Sequence, residues 1–405
     1  MAAGHPLTAE AGAEVLRRGG NAVDAAIAAV LTSCVTESPL TGLGAGGFML
    51  IHDPGREPAE RNVLVDFFVA AGGRDGTGRG SELVPIDVDF GDQTQVFHVG
   101  AASCGVPGTP AGIEWVWRRY GSMPLAALAS AGIRLAREGV RVLRMQAYLF
   151  EILEPILTAT AEGAELYAPE GSILREGDVF RFPELADALE RLAADGSEPF
   201  YAGEVGQAVA DWVRERGGTL GRDDLAAYEP IEREPVRVEF RGAEVLTNPP
   251  PSSGGILIGY ALAALERLGA RTGVEGLVEA TRAANERRTD EFAEGLHDPA
   301  FVGRFFADDR LGSTTHISAL DEAGVCATVT CSNGTGSGLI VPGTGIHVNN
   351  MLGEEDLNPG GFHRIPAGRR VSSMMAPTVA LRDGEVVLGL GSAGSNRIRS
   401  AILQT

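Results

Sequence analysis

From Thr8 to Arg18 apolar residues recur every three or four positions, a helical period that stops at Gly19-Gly20. Asn21 then caps a second helix, Ala22 to about Leu31, rich in Ala and Ile, and the pair predicts one layer of packed helices. The unbroken apolar run Phe48-Met49-Leu50-Ile51 and the segment Asn62 to Phe67 predict strands. A Gly-rich, acidic loop covers Gly72 to Asp92. Val106-Pro107-Gly108-Thr109-Pro110 opens a helix carrying Trp115 and Trp117, and Pro124 begins another that runs to about Arg137. Residues 139 to 215 read as mostly helical, including Phe182 to Leu192 and Val205 to Arg216. Asp223 and Asp224 open a short turn before the strand Val236 to Phe240.

Asn248 to Gly255 predicts a rigid extended segment and an apolar helix; with no His or Asp nearby in sequence, Ser252 and Ser253 read as turn and helix cap, not nucleophiles. Residues 275 to 296, rich in Arg and Glu, read as a helix with a solvated face and internal ion pairs. The last hundred residues turn to strand chemistry. Thr315 to Leu320 and Val325 to Ser332 flank Asp321-Glu322-Ala323-Gly324, a hairpin; pairing Asp321 with Gly324 puts Thr314 opposite Cys331 and diagonal to Ser332. Strands follow at Ile346 to Asn350 and Thr378 to Leu381, the latter entering a hairpin through Arg382-Asp383-Gly384. Gly391-Ser392-Ala393-Gly394-Ser395 is a strand-to-helix turn whose free backbone N–H groups suit an anion or an oxyanion.

Composition narrows the chemistry. A chain of 405 residues, 44% hydrophobic, can bury a large core, and no linker divides it although its length would allow two or three domains. A net charge of −20 disfavours nucleic acid and anionic membrane as partners. Every basic residue is Arg, which removes lysine Schiff bases and a Walker-type lysine. The seven His do not cluster with carboxylates at ligand spacing, and Cys34, Cys104, Cys326 and Cys331 read as buried small hydrophobes. Gly42, Gly44 and Gly47 satisfy G-x-G-x-x-G but lead into a strand, so they read as close backbone packing instead of a dinucleotide site. No export signal or run of about 18 apolar residues is present. This favours the cytoplasm, or the periplasm or exterior if the N-terminus is truncated; the chain starts almost inside a helix and ends in one, as a fragment would.

Thr314-Thr315-His316 gains meaning only with its surroundings. Taken with Gly19 to Ala26, Gly44 to Ile51, Val106-Pro107-Gly108, Tyr120 to Leu125, Asp224 to Tyr228, Pro249 to Gly255, Asn349-Asn350, Ser372-Ser373-Met374 and Gly391 to Gly394, it gives the chain an ordered resemblance to the γ-glutamyltranspeptidase family of N-terminal-nucleophile hydrolases. The resemblance implies an α+β fold, a four-layer αββα sandwich, with no cofactor. It implies self-cleavage between Ser313 and Thr314, residues 1–313 and 314–405 remaining together as a heterodimer within one structural domain, the second part C-terminally incomplete. Thr314 would then be the nucleophile and its freed α-amine the base, leaving His316 a structural role.

By the same resemblance, Ser332 contacts the nucleophile, and Gly394 and Ser395 supply oxyanion amides. Ser372 and Ser373 hold the substrate α-carboxylate, Glu354 binds the α-amine, and Asn333 joins that pocket. The implied activity is that of a γ-glutamyltransferase or glutathione hydrolase, passing a γ-glutamyl group to water or to an amino-acid or peptide acceptor. Three departures stand out: Phe68 follows Asp66-Phe67 where the family has an Arg for the α-carboxylate, Met351 replaces a Gln or Glu, and the segment from Glu355 to Val371 leaves little material for a lid. These favour hydrolysis over transpeptidation. The alternatives are an amide hydrolase of the cephalosporin or glutaryl acylase type and an unprocessed, non-catalytic binding protein.

Overall fold

Asn21 starts the first structural layer as its type and position predict. Its side chain accepts from the Asp24 N–H at 2.9 Å while Asp24 accepts from the Asn21 N–H at 3.1 Å, a capping box worth about 1 kcal/mol. In the computed structural model, which describes residues 1–76, 80–90, 94–269, 273–287, 292, 295–296, 315–358, 360–394 and 398–405, the helix so begun is Ala22–Thr36, buried along its whole length. It packs beside Pro6–Arg17 and Leu125–Glu138.

The strands, in chain order, are β1 (Ala2–Ala3), β2 (Gly46–His52), β3 (Asn62–Phe67), β4 (Val84–Asp89), β5 (Thr94–Val99), β6 (Val140–Arg141), β7 (Val179–Phe180), β8 (Ile231–Arg233), β9 (Val236–Phe240), β10 (Ala243–Thr247), β11 (Thr315–Leu320), β12 (Cys326–Ser332), β13 (Ile340–Val341), β14 (Ile346–His347), β15 (Thr378–Arg382) and β16 (Glu385–Leu390). A six-stranded sheet has the order β1-β11-β12-β2-β3-β8, and a four-stranded sheet the order β16-β15-β10-β9. Every pairing within the two is antiparallel.

Three hydrophobic cores separate four layers. Met49, Ile51, Val63, Val65, Phe67, Ile317 and Val329 face the Ala22–Thr36 layer; Phe48, Leu50 and Leu64 point the other way, toward Leu246, Val379 and Leu381 of the second sheet. The second sheet's outer face, with Val236, Val238 and Val245, is covered by Ser253–Leu268 and the C-terminal helix Ile398–Gln404. The expected αββα sandwich is therefore the observed fold. It also explains why Phe48 to Ile51 does not alternate with polar residues: that strand is buried on both faces. The glycine motif is packing, as expected, since a Cβ on Gly44 would stand 2.1 Å from the His347 carbonyl oxygen and one on Gly47 2.4 Å from that of Thr330. All four cysteines are buried and free.

Four expectations need correction. The stretch from Gly72 to Asp92 is not all loop, because Val84, Ile86 and Val88 alternate with Pro85, Asp87 and Asp89 in β4, which pairs with β5 and sends Val88, Phe97 and Val99 into the core. The strand foreseen at Ile346 to Asn350 stops at His347, after which the Asn349 and Asn350 side chains take over backbone partners. Ser252 makes no side-chain cap; its hydroxyl and that of Ser253 donate to the Ser373 carbonyl instead. Finally, the β11–β12 turn closes between the Asp321 N–H and the Val325 oxygen at 3.1 Å with Gly324 at φ +83°, one residue longer than foreseen. Cys331 therefore faces Thr315, not position 314.

Candidate active site

The corrected register decides which side chains share a face. Ile317, Ala319, Ala327, Val329 and Cys331 pack into the helix-side core. The opposite face of the hairpin is polar. His316 Nδ1 lies 2.9 Å from Thr330 Oγ1, its Nε2 2.8 Å from Ser318 Oγ and 3.0 Å from Thr328 Oγ1, and those two hydroxyls are 3.1 Å apart. Burial pushes the imidazole down to about 3, so it is neutral in this ladder, in keeping with a structural role. A Cβ on Gly391 would lie 2.2 Å from His316 Nδ1, so the start of the glycine loop rests on this ring. Within that loop Gly394 adopts φ +107°, a backbone state suited to glycine.

At the end of β12, Ser332 Oγ accepts the Gly334 N–H at 2.9 Å and begins a tight turn. Gly334 stands at φ +67°, and a Cβ there would be 2.0 Å from Asn350 Oδ1 and 2.9 Å from Glu354 Oε1. Asn350 ties the two segments together: its Oδ1 accepts the Thr335 N–H at 3.0 Å and its Nδ2 donates to Glu354 Oε1 at 3.0 Å. Burial lifts the Glu354 carboxyl to about 7, and the bond from Asn350 limits the rise. The side-chain amide of Asn333 is fully buried, with no hydrogen-bond partner among the described residues, while its backbone N–H donates to the Leu40 carbonyl at 2.8 Å. Ser332, Asn333 and Glu354 thus converge on one turn. The role of Asn350 was not foreseen, although the Asn349-Asn350 pair that contains it is conspicuous in the sequence.

The two serines diverge. Ser372 Oγ donates to the Leu357 carbonyl at 3.0 Å, which keeps it beside the Glu354 segment. Ser373 is buried, with its Oγ accepting the Met375 N–H at 3.1 Å and its carbonyl taking the Ser253 N–H at 2.7 Å. Gly312, Ser313, Thr314 and Ser395 lie outside the described residues.

The sequence pattern that defines the γ-glutamyltranspeptidase family matches residues 8–304 and 291–405. The chain belongs to the γ-glutamyltranspeptidase family. A glutathione hydrolase proenzyme of Bacillus subtilis (strain 168) is 29% identical over 465 aligned positions, covering 100% of this chain and 76% of the relative. The acylase ACY 1 proenzyme of Pseudomonas sp. (strain SE83) is 32% identical over 442 positions, covering 99% and 77%. The crystal structure of a cephalosporin acylase from Bacillus halodurans superposes with a TM-score of 0.80 at 26% identity, covering 99% of this chain and 78% of that one. The chain is thus an enzyme of a hydrolase and transferase family that also contains acylases.

Two of the departures from the γ-glutamyltranspeptidase pattern prove to be core residues. Phe68 is fully buried between the sheets, stacked on Phe48 at 5.4 Å, with its N–H on Asp66 Oδ1 at 2.9 Å. Met351 is 1% exposed in the same core. The guanidinium nearest in chain position to Ser372 belongs to Arg370, which is spent on Asp66 at 3.3 Å and packs over Tyr228, while Arg233 takes the other Asp66 oxygen at 2.7 Å. Among the described residues no helix is long and apolar enough to cross a membrane.

Proposed function

We propose that the chain is a self-processing amide hydrolase of γ-glutamyl compounds acting through Thr314. The Thr314 hydroxyl adds to the Ser313 carbonyl, the peptide shifts from nitrogen to oxygen, and water cleaves the ester to leave a free amine on Thr314. That amine, with a reference pKa of about 7.7 to 8.0, accepts the hydroxyl proton as the oxygen attacks the γ-carbonyl of the substrate. Collapse of the tetrahedral adduct expels the amine product, which carries the proton away, and leaves a γ-glutamyl ester on Thr314. Water then gives its proton to the same α-amine, adds to the ester, and releases glutamate. The backbone amides of Gly394 and Ser395 meet the oxyanion in both halves.

The observation that carries the reading is the Ser332–Gly334–Asn350–Glu354 network, which sets an acid for a substrate ammonium beside the hydroxyl assigned to the nucleophile. The β11–β12 ladder supports it, since Ser332 is the β12 residue that follows the Thr315↔Cys331 rung. With no guanidinium at position 68, the α-carboxylate is left to neutral hydroxyl donors, of which Ser372 must turn from the Leu357 carbonyl to reach it and Ser373 is buried, and this weaker grip favours hydrolysis over transfer to an amino acid. Intact mass spectrometry of purified protein tests the cleavage: fragments ending at Ser313 and beginning at Thr314 are expected, and a single uncut chain that releases no p-nitroaniline from γ-glutamyl p-nitroanilide refutes the reading.

The buried Phe68 also favours a second reading, an acylase for acyl groups without an α-amine. Turnover of glutaryl p-nitroanilide alone would select it.

A further inference from the structure

β5 ends against the segment that carries Glu354. A Cβ on Gly353 would stand 2.0 Å from the His98 carbonyl oxygen, so strand and segment meet backbone to backbone. Two residues on, the Gly100 N–H donates to the Ser337 carbonyl at 3.0 Å, which ties the same strand end to the chain just beyond the Gly334 turn. The His98 side chain makes a third link. Its ring packs on Phe362 with centroids 4.6 Å apart, and its Nδ1 lies 3.9 Å from Glu355 Oε1. Nδ1 is buried and has no hydrogen-bond partner among the described residues. Leaving it unpaired is costly, and the Glu355 side chain, 70% exposed, can close the remaining gap by rotation. Because the nitrogen is out of water, a bond to it is worth more than an ordinary surface ion pair.

Glu354 has φ −82° and ψ 114°, one extended residue between two 3₁₀ turns, Met351–Gly353 and Glu355–Leu357. The direction of its carboxyl therefore follows from where those two turns are pinned. The first is held by the Met351 N–H on Asn349 Oδ1 at 3.2 Å and by Gly353 against His98. The second is held at its far end, where Asn358 Nδ2 donates to the Glu354 carbonyl at 2.8 Å and Ser372 Oγ to the Leu357 carbonyl at 3.0 Å. At its near end, beside Glu354 itself, the side-chain contact is that of Glu355 with His98.

We infer that His98 is a positioning residue for substrate recognition: by holding Glu355 through Nδ1, it aims Glu354 at the α-ammonium of a γ-glutamyl donor. With the ring proton on Nδ1 the bond forms whether the imidazole is neutral or charged. His98 touches no reacting atom, so it acts on binding and not on the bond-breaking step. The inference rests on the α-ammonium role proposed above for Glu354, and it gives the β4–β5 ribbon a part in the site.

The test measures kcat and KM for γ-glutamyl p-nitroanilide on the processed protein at about pH 8.5, above the value of about 7 to which burial raises the Glu354 carboxyl, so that this group is charged in each variant that keeps it. His98→Ala and Glu355→Ala are each expected to raise KM about tenfold, the effect of losing one well-made hydrogen bond, with kcat unchanged. The double variant is expected to go no further than either alone, since both remove the same contact. His98→Asn, whose amide keeps an N–H where Nδ1 stands, should restore most of the KM, whereas His98→Phe, which keeps a ring on Phe362, should not. An unchanged KM in His98→Ala, additive effects in the double variant, or rescue by Phe instead of Asn overturns the inference. Glu354→Gln separates it from the reading beneath it. A raised KM there with no effect of His98→Ala leaves the Glu354 role standing, and an unchanged KM in Glu354→Gln, or a processed enzyme that does not hydrolyse the γ-glutamyl anilide, overturns both.

Discussion

Replacing Phe68 with Arg would install the residue that the family resemblance implies at this position, and the structure predicts loss of the fold's integrity instead of a gain in substrate grip. Phe68 is 0% exposed, and truncating a buried Phe typically costs about 3 to 5 kcal/mol. A guanidinium in its place adds an unpaired buried charge at several kcal/mol more, because the nearby carboxylate, Asp66, is already held by Arg233 at 2.7 Å and Arg370 at 3.3 Å. The sum is comparable to the whole stability of a domain, about 5 to 15 kcal/mol. Urea unfolding followed by tryptophan fluorescence measures it, best in a Thr314→Ala background that keeps the chain in one piece. Phe68→Leu, which keeps an apolar side chain, is expected to cost only about 1 to 3 kcal/mol. If Phe68→Arg folded within about 1 kcal/mol of the parent, and in the processed enzyme lowered KM for the γ-glutamyl anilide, the side chain would belong to the pocket and the argument from Phe68 would fail.

Other expected outcomes follow from the same geometry. Because the Glu354 carboxyl is raised to about 7, it is charged only above that pH; KM for donors with an α-ammonium should fall as pH rises through 7, and both Glu354→Gln and a glutaryl donor should remove that dependence. Glu37, 8% exposed with Thr8 Oγ1 donating to it at 3.0 Å, is also lifted to about 7 by burial. A carboxyl raised in the folded state stabilises below its unfolded value and loses that contribution as pH rises through 7. Glu37→Gln should therefore flatten the decline in melting temperature between pH 5 and 8, and an unchanged slope would count against it. Ser332→Ala should slow both self-cleavage and turnover, by about tenfold to a hundredfold, while Ser332→Thr restores them; equal rates in all three would remove Ser332 from the site.

How far the sequence was legible depended on whether the physics was local. The Asn21–Asp24 box, the apolar run from Phe48 to Ile51 and the glycines that approach His347 and Thr330 are each written within a few residues, and each took the structure expected of it. β4 and β5 were missed, although Val84, Ile86 and Val88 alternate with Pro85, Asp87 and Asp89, and Val88, Phe97 and Val99 reach the core, because the glycines and acids before them read as loop. The hairpin register failed by one residue because both a two-residue and a three-residue loop can be drawn through Asp321-Glu322-Ala323-Gly324; the Asp321 carboxylate decides it by accepting the N–H groups of Ala323 and Val325, both at 3.0 Å.

That single residue changes the reading of the site. With a two-residue loop, position 314 would face Cys331 and share its side of the sheet, leaving Ser332 on the opposite face, where the two side chains could not meet. With the observed loop, the rung after Thr315↔Cys331 has Ser332 as its β12 member, on the face that carries the His316 ladder and meets Gly391. The hydroxyl the family resemblance assigns to the nucleophile's neighbour and the glycine loop it assigns to the oxyanion are then on the same side of the sheet. No motif search could deliver this, because each fragment is short and the connection runs through backbone pairing. It follows from the length of one turn, and the turn length follows from where Asp321 places its carboxylate.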